Sequence, residues 1–406
     1  MSKSDFEKIL QGEIARIDDA KTSKRNERVI EGFTAEHKAI IGGKEYSVFN
    51  SNDYLGLRHN EKVKRAEAEA GEKYGAGPGA VRFISGTMQV HKDLEERIAS
   101  FHAREAAILF SSAFAVNMAV IHCFLKGQSK DSLVSNDVLV VSDALNHRSI
   151  IDGVRVAGLE KHQKAIFEHM NLDDLNRVLA ENIGKFRRVV VVSDGVFSML
   201  GEYQDLKKMQ EVCDKYDGEY PEGVITIVDD AHGVAAFGES GRGTEEITGG
   251  RADVLVGTFG KGFGSDGGYV VADKIYVDYL RESAATYIYS NPFSPGTAGA
   301  ALAAVNLIDS DEGKNLIEKS RANISLFKER ALNGGLKFVT DSRHPIQPIL
   351  VGDSAKARAL ADKLFENGIL ATSISYPVVP KGNDEIRVQI SALHSPDELE
   401  KLVSSF

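Results

Sequence analysis

Residues 252–273 read ADVLVGTFGKGFGSDGGYVVAD. The apolar run Val254-Leu255-Val256 stops at Gly257 and Thr258, and a second run, Tyr269-Val270-Val271, follows a glycine-dense loop. This pattern predicts strand, glycine loop, strand. The loop holds one lysine, Lys261, flanked by Gly260 and Gly262. Glycines give a lysine no cover. By itself, such a residue is a solvated surface charge, and it acquires chemistry only if the fold closes other groups around it.

Moving outward from that loop, similar runs deliver polar residues at their ends. Val224–Val228 is almost wholly apolar and leads into Asp229-Asp230-Ala231-His232-Gly233. Adjacent acids at the end of a buried strand are costly unless something pairs with them. A metal held by Asp229 and His232 is one option, but no further cluster of metal spacing lies near, and no metal site is expected. Val189–Val192 is apolar throughout, as in a strand buried on both faces, and it runs into Asp194, Ser198 and Met199. Val138–Ser142 precedes His147. A histidine just past a strand end lies where ligands gather in open α/β sheets, although a capping or core histidine fits the same position. Ala106–Phe110 precedes Ser111-Ser112-Ala113-Phe114. A Ser-Ser turn opening a helix suits a phosphate, and equally an ordinary N-cap. Strands and helices thus alternate from about residue 105 to 272, which predicts an α/β fold with a mainly parallel sheet in a large domain.

The flanks are simpler. Ser4–Ile17 carries a helical stripe of Phe6, Leu10, Ile14 and Ile17, and Lys21–Lys38 reads as an irregular arm. A short strand, Tyr46–Phe49, enters a turn in which Asn52 is either bound to local backbone or free to offer its amide to a ligand. Three glycines in Gly75–Gly79 follow a helix and not a strand, so they fail the context of a dinucleotide fingerprint. Beyond residue 273 the chain is largely helical to Leu332. Asn333-Gly334-Gly335 then precedes a smaller α/β lobe with strands near Ile346–Val351 and Ile386–Ile390. The expected division is 1–58, an N-terminal helix and arm; 59–292, the large domain; and 293–406, a small C-terminal domain. A net charge of −10 argues against a nucleic-acid partner. Cys123 and Cys213 fall in helix-like segments and suggest no disulfide. No run approaches the roughly 18 apolar residues of a membrane span, and a soluble cytoplasmic protein is expected.

His147, Ser198, Asp229 with His232, and Lys261 therefore belong to strand C-terminal ends or loops of one sheet. Pyridoxal phosphate would use each of them. Its aldehyde needs a lysine amine, its ring nitrogen needs a carboxylate, its ring needs a flat neighbour, and its phosphate needs a helix N-terminus.

The chain from about Asn50 onward resembles the α-oxoamine synthase family of fold-type I pyridoxal-phosphate enzymes. The motifs that carry the likeness are NDYLGL, GAGPGAVRFISGT, DALNHRSIIDGVR, DGVFSM, VDDAHG, TFGKG and PVVPKG followed by IRVQISALH. The resemblance implies that Lys261 forms the Schiff base and later moves the substrate's α-proton. Asp229 would pair with the ring nitrogen, His147 would stack on the ring, and His232 and Ser198 would bond near its phenolic oxygen. Backbone N–H groups of Ala113 and Phe114, with the Thr258 hydroxyl, would hold the phosphate. Ser290 and Asn291 would reach a phosphate in the neighbouring subunit of a homodimer. Arg387, otherwise a plain strand arginine, would fork onto the amino acid's carboxylate with help from Asn52. The implied substrates are an amino acid and an acyl-CoA. YPVVPKG, NHRSIIDGVR and YIYSNPFSP resemble the branch that acetylates glycine to 2-amino-3-oxobutanoate. The alternative is a decarboxylating condensation with a longer acyl thioester, of the serine palmitoyltransferase or 8-amino-7-oxononanoate synthase type. His169-Met170-Asn171, Ser265-Asp266 and the segment Asp217–Gly223 depart from the acetylating pattern.

Overall fold

A computed structural model describes residues 3–406 except 21, 26, 130 and 377. Met1 and Ser2, Lys21 and Asn26 of the expected arm, and Pro377 of YPVVPKG therefore lie outside the described residues. The chain forms two compact units, Met1–Val48 and Phe49–Phe406. The first holds the helix Lys3–Asp19 and strands β1 (Gly32–Phe33), β2 (Ala39–Ile41) and β3 (Lys44–Val48), with β1–β2 and β2–β3 antiparallel.

The second unit carries a seven-stranded sheet. Its strands are β4 (Ala106–Phe110), β5 (Val138–Asp143), β6 (Lys164–Phe167), β7 (Arg188–Asp194), β8 (Val224–Asp229), β9 (Val254–Thr258) and β10 (Gly268–Ala272). Their order is β4-β10-β9-β8-β7-β5-β6. From β9 to β6 every pairing is parallel, while β10 runs antiparallel to both β9 and β4. The strand, glycine loop, strand reading of 252–273 is thus β9 and β10, paired from Thr258↔Gly268 outward. Because β10 opposes both its neighbours, β4 points the same way as β9. The ends of β4, β5, β7, β8 and β9 consequently all lie at one edge of the sheet.

The sheet is buried on both faces, which explains the continuous valine runs. Successive side chains alternate sides, so Val189 and Val191 join one apolar core while Val190 and Val192 join another. The first core is closed by helices including Gln89–Phe101, Leu206–Asp217 and Pro295–Ile308, and the second by Ala113–Leu125 and Lys274–Ser283. Cys213 lies in the first core and Cys123 in the second, both as free thiols.

The C-terminal part contains β11 (Ile346–Leu350), β12 (Ile369–Leu370), β13 (Thr372–Ile374) and β14 (Glu385–Gln389), with β11-β14-β13 forming an antiparallel sheet. Ile386 and Val388 point into a separate apolar cluster with Phe327, Leu364, Leu399 and Leu402. By strand alternation, Arg387 and Gln389 face the other way. Among the described residues, no helix is long and apolar enough to cross a membrane.

Candidate active site

One cavity at the C-terminal edge of the large sheet is lined by Ala113, Phe114, His147, Asp229, His232 and Lys261, among others. Each comes from a different strand end or from the same tight loop, so the sheet's directionality brings them together.

The helix Ala113–Leu125 supplies two donors. Ser112 caps it, its Oγ accepting the Ala115 N–H at 3.2 Å and its carbonyl accepting that of Val116 at 3.0 Å. The N–H groups of Ala113 and Phe114 have no acceptor among the described residues. They are orphan donors of a helix start, at the positive end of its dipole, and both residues line the cavity. Gly268, the first residue of β10, lies against this turn, and a Cβ there would collide with the Ala113 backbone nitrogen.

Asp229 ends β8 beside Asp194 of β7, its partner in register. Asp229 is 5% exposed. Its Oδ1 accepts the Ala231 N–H at 3.0 Å, and its Oδ2 accepts from Asn117 Nδ2 at 2.5 Å. These bonds supply the pairing that a buried carboxylate requires. Asp194 accepts the His147 N–H at 2.9 Å, and burial, with Asp229 beside it, pushes its carboxyl well above the usual range.

His147 follows β5, is exposed, and packs edge-on to Phe114 at 6.5 Å between ring centres. Its Nδ1 lies 2.7 Å from Ser149 Oγ. His232 is buried, with Nδ1 2.7 Å from the Tyr54 hydroxyl. Burial, aided by the positive charge of Lys261, pushes its basicity well below the usual histidine value, so the ring is neutral. The Lys261 amine has no hydrogen-bond partner among the described residues. Burial lowers its basicity, against the opposing pull of Asp229 and Asp194. A neutral amine is the form that attacks an aldehyde.

The remaining expected site residues are placed as follows. Ser198 lines the cavity, and its carbonyl accepts from Arg387 Nε at 2.7 Å, which brings the C-terminal sheet to the cavity wall. Asn52 Oδ1 accepts from Gln389 Nε2 at 2.5 Å, leaving the donor end of its amide uncommitted in that bond. The Thr258 hydroxyl donates to the Gly267 carbonyl at 3.0 Å and accepts the Gly260 N–H at 3.1 Å, so here it braces the glycine loop. Ser290 is half-buried and Asn291 exposed, and neither lines the cavity. Among the described residues, no group of three or more His, Cys, Asp or Glu side chains is placed to hold a metal ion.

Sequence reasoning missed Asn117, Ser149, Tyr54, His344 and Gln389 as supports of the site. His344 Nε2 donates to the His232 carbonyl at 2.8 Å while its Nδ1 accepts the Ile346 N–H at 3.1 Å. One signal was readable: Asn117 interrupts the otherwise apolar AFAVNMAV and stands four residues after Ala113, on the same helix face.

The donor set fits pyridoxal phosphate: orphan N–H groups for a phosphate, a buried acid, an unpartnered lysine amine and an exposed flat ring share one cavity.

Comparison with known proteins gives the same picture. The family model of aminotransferase class I and II matches residues 44–406. The chain is 39% identical over 371 residues to an 8-amino-7-oxononanoate synthase of Treponema denticola, covering 91% of this chain and 89% of that one. It is 38% identical over 371 residues to that of Symbiobacterium thermophilum, covering 91% and 89%. Among solved structures, the serine palmitoyltransferase of Sphingomonas wittichii matches with a TM-score of 0.86 at 26% identity, covering 99% of this chain and 96% of that one. The serine palmitoyltransferase from S. paucimobilis with bound PLP-myriocin aldimine matches with a TM-score of 0.86 at 26% identity, covering 100% and 98%.

Proposed function

The chain belongs to the aminotransferase class I and II family, and within it to the α-oxoamine synthases, and from that premise we propose that it joins an amino acid to an acyl thioester longer than acetyl, with loss of carbon dioxide. It is a pyridoxal-phosphate-dependent acyltransferase. The motifs that resemble the glycine-acetylating branch pointed to glycine and acetyl-CoA. The comparisons favour the alternative, because the curated relatives described above are 8-amino-7-oxononanoate synthases and the structural ones are serine palmitoyltransferases. The product named for the curated relatives has nine carbons with the amine next to the terminal methyl. That is alanine, less its carboxylate, joined to a seven-carbon acyl group. Alanine with a pimeloyl thioester is accordingly the first reading for this chain, and serine with a long-chain acyl-CoA the second.

The observation that carries the proposal is the single cavity that gathers Lys261, Asp229, His147 and the two orphan N–H groups. The bound cofactor supplies an electron sink for charge developing at the amino acid's Cα. The chain's own residues do the rest. Asp229, held by Asn117 and the Ala231 N–H, would pair with the ring nitrogen. His147 would cover a ring face, and His232 and Ser198 would bond at the phenolic oxygen. The N–H groups of Ala113 and Phe114 would hold the phosphate. Arg387 and Asn52 hold the amino acid's carboxylate through charge-assisted bonds. Lys261, its basicity lowered by burial, would take the α-proton and return one. The new bond joins Cα to the acyl carbon as the carbon–sulfur bond breaks and the thiolate takes up a proton to leave as CoA thiol; the bond from Cα to the carboxylate then breaks, carbon dioxide leaves, and the proton returned by Lys261 goes to Cα.

Ser290 and Asn291 lie outside their own subunit's cavity, and Phe83, Ile84 and Tyr289 are 67%, 69% and 82% exposed. These features support a homodimer in which Ser290 and Asn291 serve the partner's phosphate. The division 59–292 and 293–406, with the cofactor on the first part and Arg387 on the second, belongs to the same proposal.

The test is a turnover panel of glycine, alanine and serine against acetyl-, pimeloyl- and palmitoyl-CoA, with carbon dioxide measured. Alanine or serine with a longer thioester should turn over fastest and release one carbon dioxide per CoA. Glycine with acetyl-CoA as the best pair would return the assignment to the acetylating branch.

A further inference from the structure

Asn117 is fully buried in the second turn of the helix Ala113–Leu125 and touches neither strand-end loop by sequence. Its side-chain amide nevertheless makes two bonds in the site. One hydrogen of Nδ2 goes to Asp229 Oδ2 at 2.5 Å and the other to Ser149 Oγ at 2.8 Å. An amide nitrogen has two hydrogens, and both are used. The carbonyl end, Oδ1, is buried without a partner. Leaving a buried acceptor unpaired is unfavourable, and the fold retains this amide in that orientation. The NH2 end is the one turned to Asp229, whose Oδ2 is the acceptor.

The protons beyond Asn117 take their direction from Ser149, whose hydroxyl and backbone N–H both face His147 Nδ1. Ser149 Oγ accepts from Asn117, so its own hydrogen is free for His147 Nδ1 at 2.7 Å. The backbone N–H of Ser149 points at the same Nδ1 at 3.3 Å. With two donors aimed at it, Nδ1 carries no hydrogen, and the hydrogen of the neutral ring sits on Nε2.

We propose that Asn117 is the positioning residue that couples Asp229 to His147, holding the acid toward the cofactor's ring nitrogen and, through Ser149, directing the hydrogen of the histidine ring to Nε2. This rests on the pyridoxal-phosphate reading for its purpose, but not for its geometry. With no donor at position 117, Ser149 Oγ loses the bond that turns its hydrogen toward His147, and Asp229 loses one of its two bonds.

Two variants separate the parts. Asn117→Leu keeps the volume and removes both donors; Ser149→Ala breaks only the branch to His147. In apo-protein labelled with ¹⁵N-histidine, the His147 signal assigned by its loss in His147→Gln should show a bare Nδ1 in wild type. In both variants it should show a mixture of ring forms and protonation at higher pH. With ¹⁵N-labelled pyridoxal phosphate bound, the ring nitrogen should stay protonated near neutral pH in wild type and in Ser149→Ala, and lose its proton in Asn117→Leu. Cofactor affinity by equilibrium dialysis should fall about tenfold in Asn117→Leu, as for other residues that orient a ligating group. In turnover, kcat should fall with the amino-acid KM little changed. Wild-type nitrogen signals in Asn117→Leu overturn the proposal, as does a Ser149→Ala protein whose His147 is unaltered. If Asn117→Leu does not fold, the Ser149→Ala histidine signal decides. Because the histidine measurement uses apo-protein, a wild type that binds no pyridoxal phosphate overturns the cofactor reading separately.

Discussion

Lys261 shows how little a residue's own neighbours say about its chemistry. Glycines on either side leave it bare in the sequence, and the fold supplies the burial that lowers its basicity. Lys261→Ala should therefore abolish both turnover and the visible band that appears when wild type is loaded with pyridoxal phosphate; a band in the variant would remove the lysine from the role given to it. Arg387 differs, since its charge serves binding. Its Nε is occupied by the Ser198 carbonyl, which aims the rest of the guanidinium. Arg387→Ala should raise the amino-acid KM by about 10- to 100-fold, the loss of a charge-assisted pair, with a smaller change for the acyl thioester. Equal effects on both KM values would place the carboxylate elsewhere. At this scale the sequence showed the acid, the lysine and the two histidines, because each follows a strand. It did not show which atoms were already committed, as with the Thr258 hydroxyl bound to Gly267.

At the scale of elements, the loops are held as firmly as the strands. The sequence anticipated most strands and helices to within a few residues but passed over β6, whose KAIF is short and half-polar at its start. The residue after that strand's turn, His169, stood out only as a departure from a motif. It bridges Asp143 at 2.9 Å and Glu202 at 3.1 Å, joining the loop after β6 to the turn that follows Ser198. Burial disfavours its charged form, but bonds to Asp143 and Glu202 outweigh this and push it up to about 9 from 6.5. A raised folded-state value stabilises the fold fully below pH 6.5 and loses that contribution as pH rises through about 9. His169→Gln should remove up to about 2 kcal/mol of stability near pH 6 and almost none near pH 10, read from denaturant midpoints at both pH values. A loss independent of pH would mean the histidine only packs against Phe197. The start of β10 allows a sharper test. Gly268→Ala should push back the first turn of the helix Ala113–Leu125 and weaken pyridoxal-phosphate binding at least tenfold by equilibrium dialysis; unchanged affinity would free that turn from the phosphate.

For the whole molecule, the prediction concerns two copies. If Ser290 and Asn291 serve the partner's site, subunits of Lys261→Ala mixed with subunits of a Ser290→Ala, Asn291→Ala double variant should regain activity. Each mixed dimer would own one complete site of two, and since half of a fully exchanged equimolar mixture is mixed dimers, turnover should approach about a quarter of that of wild type. Mixing without recovery would confine the site to one chain. The sequence by itself determined the fold class and the edge of the sheet at which the chemistry gathers. Apolar runs ending in polar loops specify parallel strands, and parallel strands place all their ends together. Only the tertiary structure decided the states of the site: a neutral His232 under Tyr54, a held Asp229, and an Asn117 amide that serves two strand ends at once. Those bonds join residues as far apart as 112 positions for Asn117 and Asp229 and 337 for Asn52 and Gln389. Proton direction and desolvation depend on distances in space, which spacing along the chain does not encode.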